Sequence, residues 1–127
     1  MVDNLKHELE AWGPRARIAY ARWVPTNAAE QNLVQGQVQG IQKVTRSGAG
    51  AYQIVLKDKC KDLVALVGYV ENDTTLFHFV RVESQDAAAG TVNISHKSVL
   101  FTNVASGPTA SDTVDQISVI IIQRMFD

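Results

Sequence analysis

The sequence predicts an all-β domain: an antiparallel β-sandwich, jelly-roll-like, of about seven or eight short strands. Three observations predict it. After Pro14 the apolar positions recur with a period of two, the alternation of a half-buried strand. Turn-forming clusters interrupt that alternation at Pro25-Thr26-Asn27, Arg46-Ser47-Gly48-Ala49-Gly50, Asn72-Asp73 and Ala105–Asp112. The most apolar run, Ile117–Ile122, is β-branched at Ile117, Val119, Ile120, Ile121 and Ile122, which favours a strand over a helix. An α/β fold would need helical periodicity between strands, and none follows Pro14. An up-and-down barrel is the alternative way to close such a set of strands.

The elements follow in order. Residues 1–13 form an N-terminal arm or short helix, because Val2, Leu5, Leu9 and Trp12 fall three and four apart before Gly13-Pro14 stops the pattern. That arm packs either on the body or on a neighbouring subunit. Residues 14–127 form the sandwich. Arg17–Val24 places Ile18, Tyr20 and Arg22 on one face and Ala19, Ala21 and Trp23 on the other. Ala28–Gln39, rich in Gln, Ala and Asn, matches no period. Gln37–Thr45 and Ala51–Lys57 read as a hairpin around the glycine cluster, with Tyr52, Ile54 and Leu56 on one face. A charged connector, Lys57–Asp62, leads to a strand at Leu63–Glu71. Thr75–Glu83 carries Phe77 and Phe79 on one face and Leu76, His78, Val80 and Val82 on the other. A strand apolar on both faces is expected at the centre of a sheet, covered on both sides. Ser84–Gly90 reads as a loop, Thr91–Ser95 and Val99–Val104 as short strands, and Thr113–Arg124 as the strongest strand.

The totals bound the function. At 127 residues the chain is one domain with enough length for a real core. Its 12 basic and 13 acidic residues give a net charge of −1, and the totals show neither the basic excess nor the clustered basic face usual in a nucleic-acid binder. One cysteine, Cys60, permits no internal disulfide and fits folding in a reducing cytoplasm. The polar start, Met1–Glu10, lacks the apolar run of a secretion signal, and Ile117–Ile122 is too short to span a bilayer. A soluble protein is expected, with no membrane or nucleic-acid partner.

No residue pattern points to chemistry. His7, His78 and His96 do not lie at metal-ligand spacing from one another or from Cys60. Cys60 stands between Lys59 and Lys61, a setting that lowers a thiol pKa, but no base or orienting group adjoins it in sequence. Glu71 and Glu83 end neighbouring candidate strands, yet a sugar-cleaving pair needs an aromatic-lined cleft and aromatics are only 7% of the chain. Gly48-Ala49-Gly50 precedes a strand, not the helix a phosphate cradle requires. The sequence therefore predicts no catalytic, cofactor-binding or metal-binding residue, and a protein that is not an enzyme. The candidate interface residues are Trp12, Arg15, Arg17, Arg22 and Trp23: two large aromatics of the kind that anchor interfaces, and a basic stripe. For Trp23 a place in the core is equally open, and the arginines equally suit solvated edge positions or salt bridges.

The run Gly40-Ile41-Gln42-Lys43-Val44-Thr45-Arg46-Ser47-Gly48-Ala49-Gly50-Ala51-Tyr52-Gln53-Ile54-Val55-Leu56 resembles a hairpin pattern of small virion proteins of tailed phages. Ser111–Ile122, a polar Asp-containing loop before a long β-branched strand, is similar to a second element of such proteins. The likeness spans roughly Gln37–Gln123; Gln37–Thr45 is poorer in apolar residues than the pattern usually is. The resemblance implies a capsid cement (decoration) protein that binds the major capsid protein on the outer surface of the shell and associates with itself as a homodimer or homotrimer. A tail-associated module (fibre, spike or adaptor) is the alternative. The absence of a repetitive shaft in a chain that begins at Met1 favours the shell. A carbohydrate-binding domain or small sandwich enzyme comes third.

Overall fold

The structure is a computed structural model and describes residues 16–71, 76–100, 107–111 and 116–125. The predicted arm, with Trp12, and Arg15 lie outside the described residues. Within them the protein is all-β without a helix, so no helix is long and apolar enough to cross a membrane. Eight strands, β1 Ala16–Trp23, β2 Ile41–Gly48, β3 Ala51–Leu56, β4 Asp62–Val70, β5 Leu76–Asp86, β6 Thr91–Leu100, β7 Thr109–Ala110 and β8 Ile117–Arg124, form two antiparallel sheets. One sheet has the order β1-β8-β4, and the other β2-β3-β6-β5, with β7 added beside β6. The two sheets face each other as a sandwich.

The core lies between the sheets and follows the strand alternation. Ala19, Ala21 and Trp23 of β1 and Ile117, Val119 and Ile121 of β8 meet Ile41, Val44, Tyr52, Ile54, Leu56, Val92 and Ile94 of the facing sheet. Trp23 packs edge-on against Tyr52, with ring centroids 5.7 Å apart, so Trp23 occupies the core and not the surface. Gly68 of β4 faces Val80 of β5 across the sandwich. A methyl group there would lie 2.8 Å from Val80 Cβ, inside van der Waals contact, so the absence of a side chain is what lets β5 approach.

Ala28–Gln39, which has no sequence period, clips the two sheets together along one side. It bridges to β1 at Trp23↔Leu33 and Tyr20↔Gln39 and to β2 at Glu30↔Thr45. Buried Gln31 organises its first turn: its Oε1 accepts from Thr26 N–H at 2.8 Å and its Nε2 donates to Ala28 O at 2.7 Å. The segment is held by isolated backbone bridges to both sheets together with the Gln31 side-chain amide, and no continuous ladder imposes a period of two on it.

Four sequence expectations are corrected. Thr75–Glu83 is not a central strand: among the described residues β5 pairs with β6 alone and forms the edge of its sheet, with Phe77 and Phe79 47% and 46% exposed. Its inner side, carrying Val80, faces β4, so the doubly apolar pattern reflects one buried face and one open apolar face. The strand also runs on to Asp86, past a bulge between Val82 and Ser84, so only Ala87–Gly90 turns. Thr91–Ser95 and Val99–Leu100 belong to one strand, β6, because His96, Lys97 and Ser98 continue the ladder opposite Val80, Phe79 and His78. The predicted hairpin is present, but β2 begins at Ile41, after Gly40.

Candidate binding face

The outer face of the three-stranded sheet is built by register. Tyr20 of β1 pairs with Ile120 of β8, which pairs with Val67 of β4. On either side run the rows Ile18–Ile122–Ala65 and Arg22–Ser118–Tyr69. The residues between them on each strand point into the core, so these nine are the set that alternation turns outward. The face is apolar for its size: Val67 is 58% exposed, and Tyr69 and Ile120 are exposed large apolar residues.

A groove of about 430 Å³ lies in this face, over Ile18, Tyr20 and Ile120, and is closed at one end by Arg22, Gln37 and Tyr69. That volume is within the range of small ligand sites, and its walls are chiefly apolar with a few fixed polar groups. Arg22 organises the polar end. Its Nη1 donates to Gln37 Oε1 at 3.3 Å, its Nη2 donates to the Tyr69 hydroxyl at 3.1 Å, and Nη1 lies 3.4 Å from Glu71 Oε1. Three side chains from two segments remote from Arg22 in sequence thus hold one guanidinium in place.

Of the three predicted interface residues that the structure describes, Arg17, Arg22 and Trp23, Arg22 alone belongs to this groove. Trp23 is in the core. Arg17 lies on the side of β1 opposite Arg22, at the end of the sandwich, and pairs with Asp58 at 3.2 Å. Both members of that pair are well exposed, so the pair contributes little stability. Arg17 and Arg22 therefore do not form one stripe. Sequence reasoning missed Tyr20, Val67, Tyr69 and Ile120 as candidate surface, because an apolar strand residue is normally read as core.

A second polar cluster lies at the inner side of β5 and β6. His78 Nδ1 and His96 Nε2 are 2.8 Å apart with the rings stacked, and His96 Nδ1 is 2.6 Å from Ser111 O. A carbonyl only accepts, so His96 carries a proton on Nδ1; in the neutral ring its Nε2 is then the acceptor and His78 Nδ1 the donor. Ser111 is further tied to β6 through its N–H to His96 O at 3.3 Å and its hydroxyl to Ser98 at 3.0 Å. Histidines 18 residues apart in sequence become partners through the β5–β6 register. They anchor the segment after β7, and among the described residues no group of three or more His, Cys, Asp or Glu is placed to hold a metal ion.

Glu71 and Glu83 do not face each other. Glu71 joins Arg22, while Glu83 lies on the other sheet, where the Ser95 hydroxyl donates to it at 2.6 Å. That bond holds Glu83 below the usual carboxylate range, with desolvation opposing and Arg81 and Lys97 adding.

Cys60 reverses its sequence expectation. It is fully buried, and burial pushes its thiol above the ordinary value; the Gln123 side chain opposes this and Asp62 adds to it. The flanking lysines are not what sets its acidity. Native Cys60 should react with a thiol reagent at neutral pH far more slowly than the unfolded chain, as a stopped-flow assay with and without denaturant would measure. Because the folded pKa is raised, the associated stability is complete below the unfolded thiol's pKa and is lost as pH rises through the folded one. A reaction as fast as in denaturant would contradict this burial.

Comparison of the chain with protein-family models, with curated proteins and with solved structures gives no match.

Proposed function

We propose that the chain is a non-enzymatic structural protein that attaches to another protein surface through the outer face of its three-stranded sheet, as a capsid cement protein of a tailed phage. The observation that carries the binding reading is the apolar groove over Ile18, Tyr20 and Ile120, ended by the clamped Arg22. A face with an apolar floor and one oriented guanidinium suits a protein surface that supplies apolar side chains and a main-chain acceptor. The phage assignment is supported by the likeness of the Gly40–Leu56 hairpin and the Ser111–Ile122 segment to small virion proteins. The major capsid protein is the proposed partner and the shell's outer surface the proposed location. Many copies on one lattice would make a modest single contact effectively strong.

The test is binding to expanded empty tailed-phage shells and the heat stability of those shells. Wild-type protein should co-sediment with shells and raise their melting temperature. The pair Tyr20→Lys and Ile120→Lys, both on the outer face, should weaken binding at least tenfold while leaving the fold intact by circular dichroism. Wild-type protein that leaves shells unbound would sink the capsid reading. Binding to tails alone would transfer the reading to a tail-associated module.

A further inference from the structure

We infer that the edge of β4 is a self-association site, at which a second copy of this chain pairs its own β4 antiparallel across a two-fold axis to give a continuous six-stranded sheet. The inference names which surface joins copies, and it stands on the sheet edges alone, independent of the capsid reading.

The four lateral edges of the sandwich are treated differently. The edge of β1 is covered, since Tyr20 and Gln39 exchange backbone bonds at 2.9 and 2.8 Å and Val34 N–H reaches Arg22 O at 2.9 Å. The edge of β2 is covered by the same segment, with Gln31 N–H on Val44 O at 2.8 Å and Arg46 N–H on Ala29 O at 2.6 Å. The edge of β5 carries Arg81, Glu83 and Asp86 and is bent by the Val82/Ser84 bulge. Coverage, charge and bulges are the devices by which proteins prevent uncontrolled strand pairing. β4 pairs with β8 and with no other strand among the described residues, and from Leu63 to Val70 it has no charge.

The ladder fixes which groups are available. Glu71 N–H bonds Gln116 O on the β8 side, so strand alternation turns Ala65, Val67 and Tyr69 toward β8 and directs the N–H and C=O of Leu66, Gly68 and Val70 off the edge. Those groups are what an added antiparallel strand bonds. A two-fold axis at Val67 matches the faces. Val67 meets its symmetry mate, Ala65 meets Tyr69 of the second copy on the outer face, and Leu66 meets Gly68 on the inner face, a large residue opposite a small one. At either end the Asp62–Arg124 pair of one copy comes near the Glu71–Arg22 pair of the other, so each acid brings its own arginine and the junction is charge-balanced. The surface is thus complementary to itself, as a two-fold interface must be. A strand-edge contact of this length is a small interface, so the dimer should be weak and dependent on concentration.

Sedimentation equilibrium over roughly 1 to 500 μM, with amide hydrogen exchange at both ends of the range, tests the inference. Wild-type protein should pass from monomer to dimer, and the amides of Leu66, Gly68 and Val70 should slow at the high concentration. Val67→Lys brings two like charges together at the axis and should shift the midpoint at least tenfold upward. Phe79→Lys, on the exposed face of β5, should leave it unchanged. A monomer throughout, a trimer, a dimer sensitive to Phe79→Lys but not to Val67→Lys, or a dimer with unaltered β4 exchange would each overturn the inference. Shell binding is read separately, so failure here and failure of the capsid proposal are distinguishable.

Discussion

Gly50→Ala is expected to destabilise the protein by roughly 3 kcal/mol. Gly50 has φ +67°, in the left-handed region where an L side chain costs roughly 1–2 kcal/mol by itself. The larger part comes from what surrounds it. A methyl group would fall inside contact of His96 O, and 2.7 and 2.8 Å from Ser111 N and O. All three are backbone atoms, and they belong to the knot in which His96 and Ser111 bond each other and His96 N–H bonds Gly50 O at 2.7 Å. No side chain can swing aside to relieve the overlap. Gly48, two residues earlier, is the control: nothing lies within 4 Å of where its methyl would be, and its φ is not positive. Gly48→Ala should stay within about 0.5 kcal/mol of wild type. Urea titrations with an unchanged slope would give both numbers. Equal effects of the two substitutions would mean that the hairpin turn is not pinned against β6.

Trp23→Ala should cost about 3–5 kcal/mol, as deletion of a buried aromatic does. Against a total stability of roughly 5–15 kcal/mol, that removes between about a fifth and all of it. The side chain is completely buried and packs against Tyr52. Its indole N–H, however, is buried with no hydrogen-bond partner among the described residues. An unsatisfied buried donor costs roughly 1–3 kcal/mol, so replacing it with a ring that lacks the donor recovers part of the lost packing. Trp23→Phe is therefore expected to cost less than half of what Trp23→Ala costs. Paired thermal and urea unfolding curves measure the ratio. A phenylalanine as damaging as an alanine would show that ring volume outweighs the unpaired donor.

These two residues also mark how much was legible in the sequence. The alternation of β1 assigned Trp23 to the same side as Ala19 and Ala21, and all three are core. What alternation does not say is which of its two sides faces the other sheet, so core and interface remained equally open for Trp23. Gly48 and Gly50 look alike in a turn cluster, yet only the second has a positive φ and a crowded neighbourhood, because the crowding comes from Ser111, some 60 residues away. The same limit hid the binding face. Tyr20, Ile120 and Val67 form one row through two ladders joining chain segments about 50 and 100 residues apart. Register between distant strands is set by packing, and no local pattern encodes it. Strand β5 was misplaced for a related reason: two apolar faces indicate a central strand only if nothing exposes one of them, and Phe77 and Phe79 are exposed.

The position of β8 has a consequence for how the chain reaches this fold. It is the middle strand of its sheet, and Ala16 at the start of β1 is the register partner of Arg124. β1 and β4 are formed early along the chain but have no ladder with each other; both wait for a strand that comes after every other strand in the sequence. Closing a loop of that length is entropically slow, and contacts so distant in sequence lower folding rates. The β2–β3 and β5–β6 hairpins can zip locally, while two apolar strands remain without a partner. The vulnerable moment is thus the interval before β8 docks, when the exposed backbone of β1 and β4 is available to other chains, so refolding yield should fall with protein concentration.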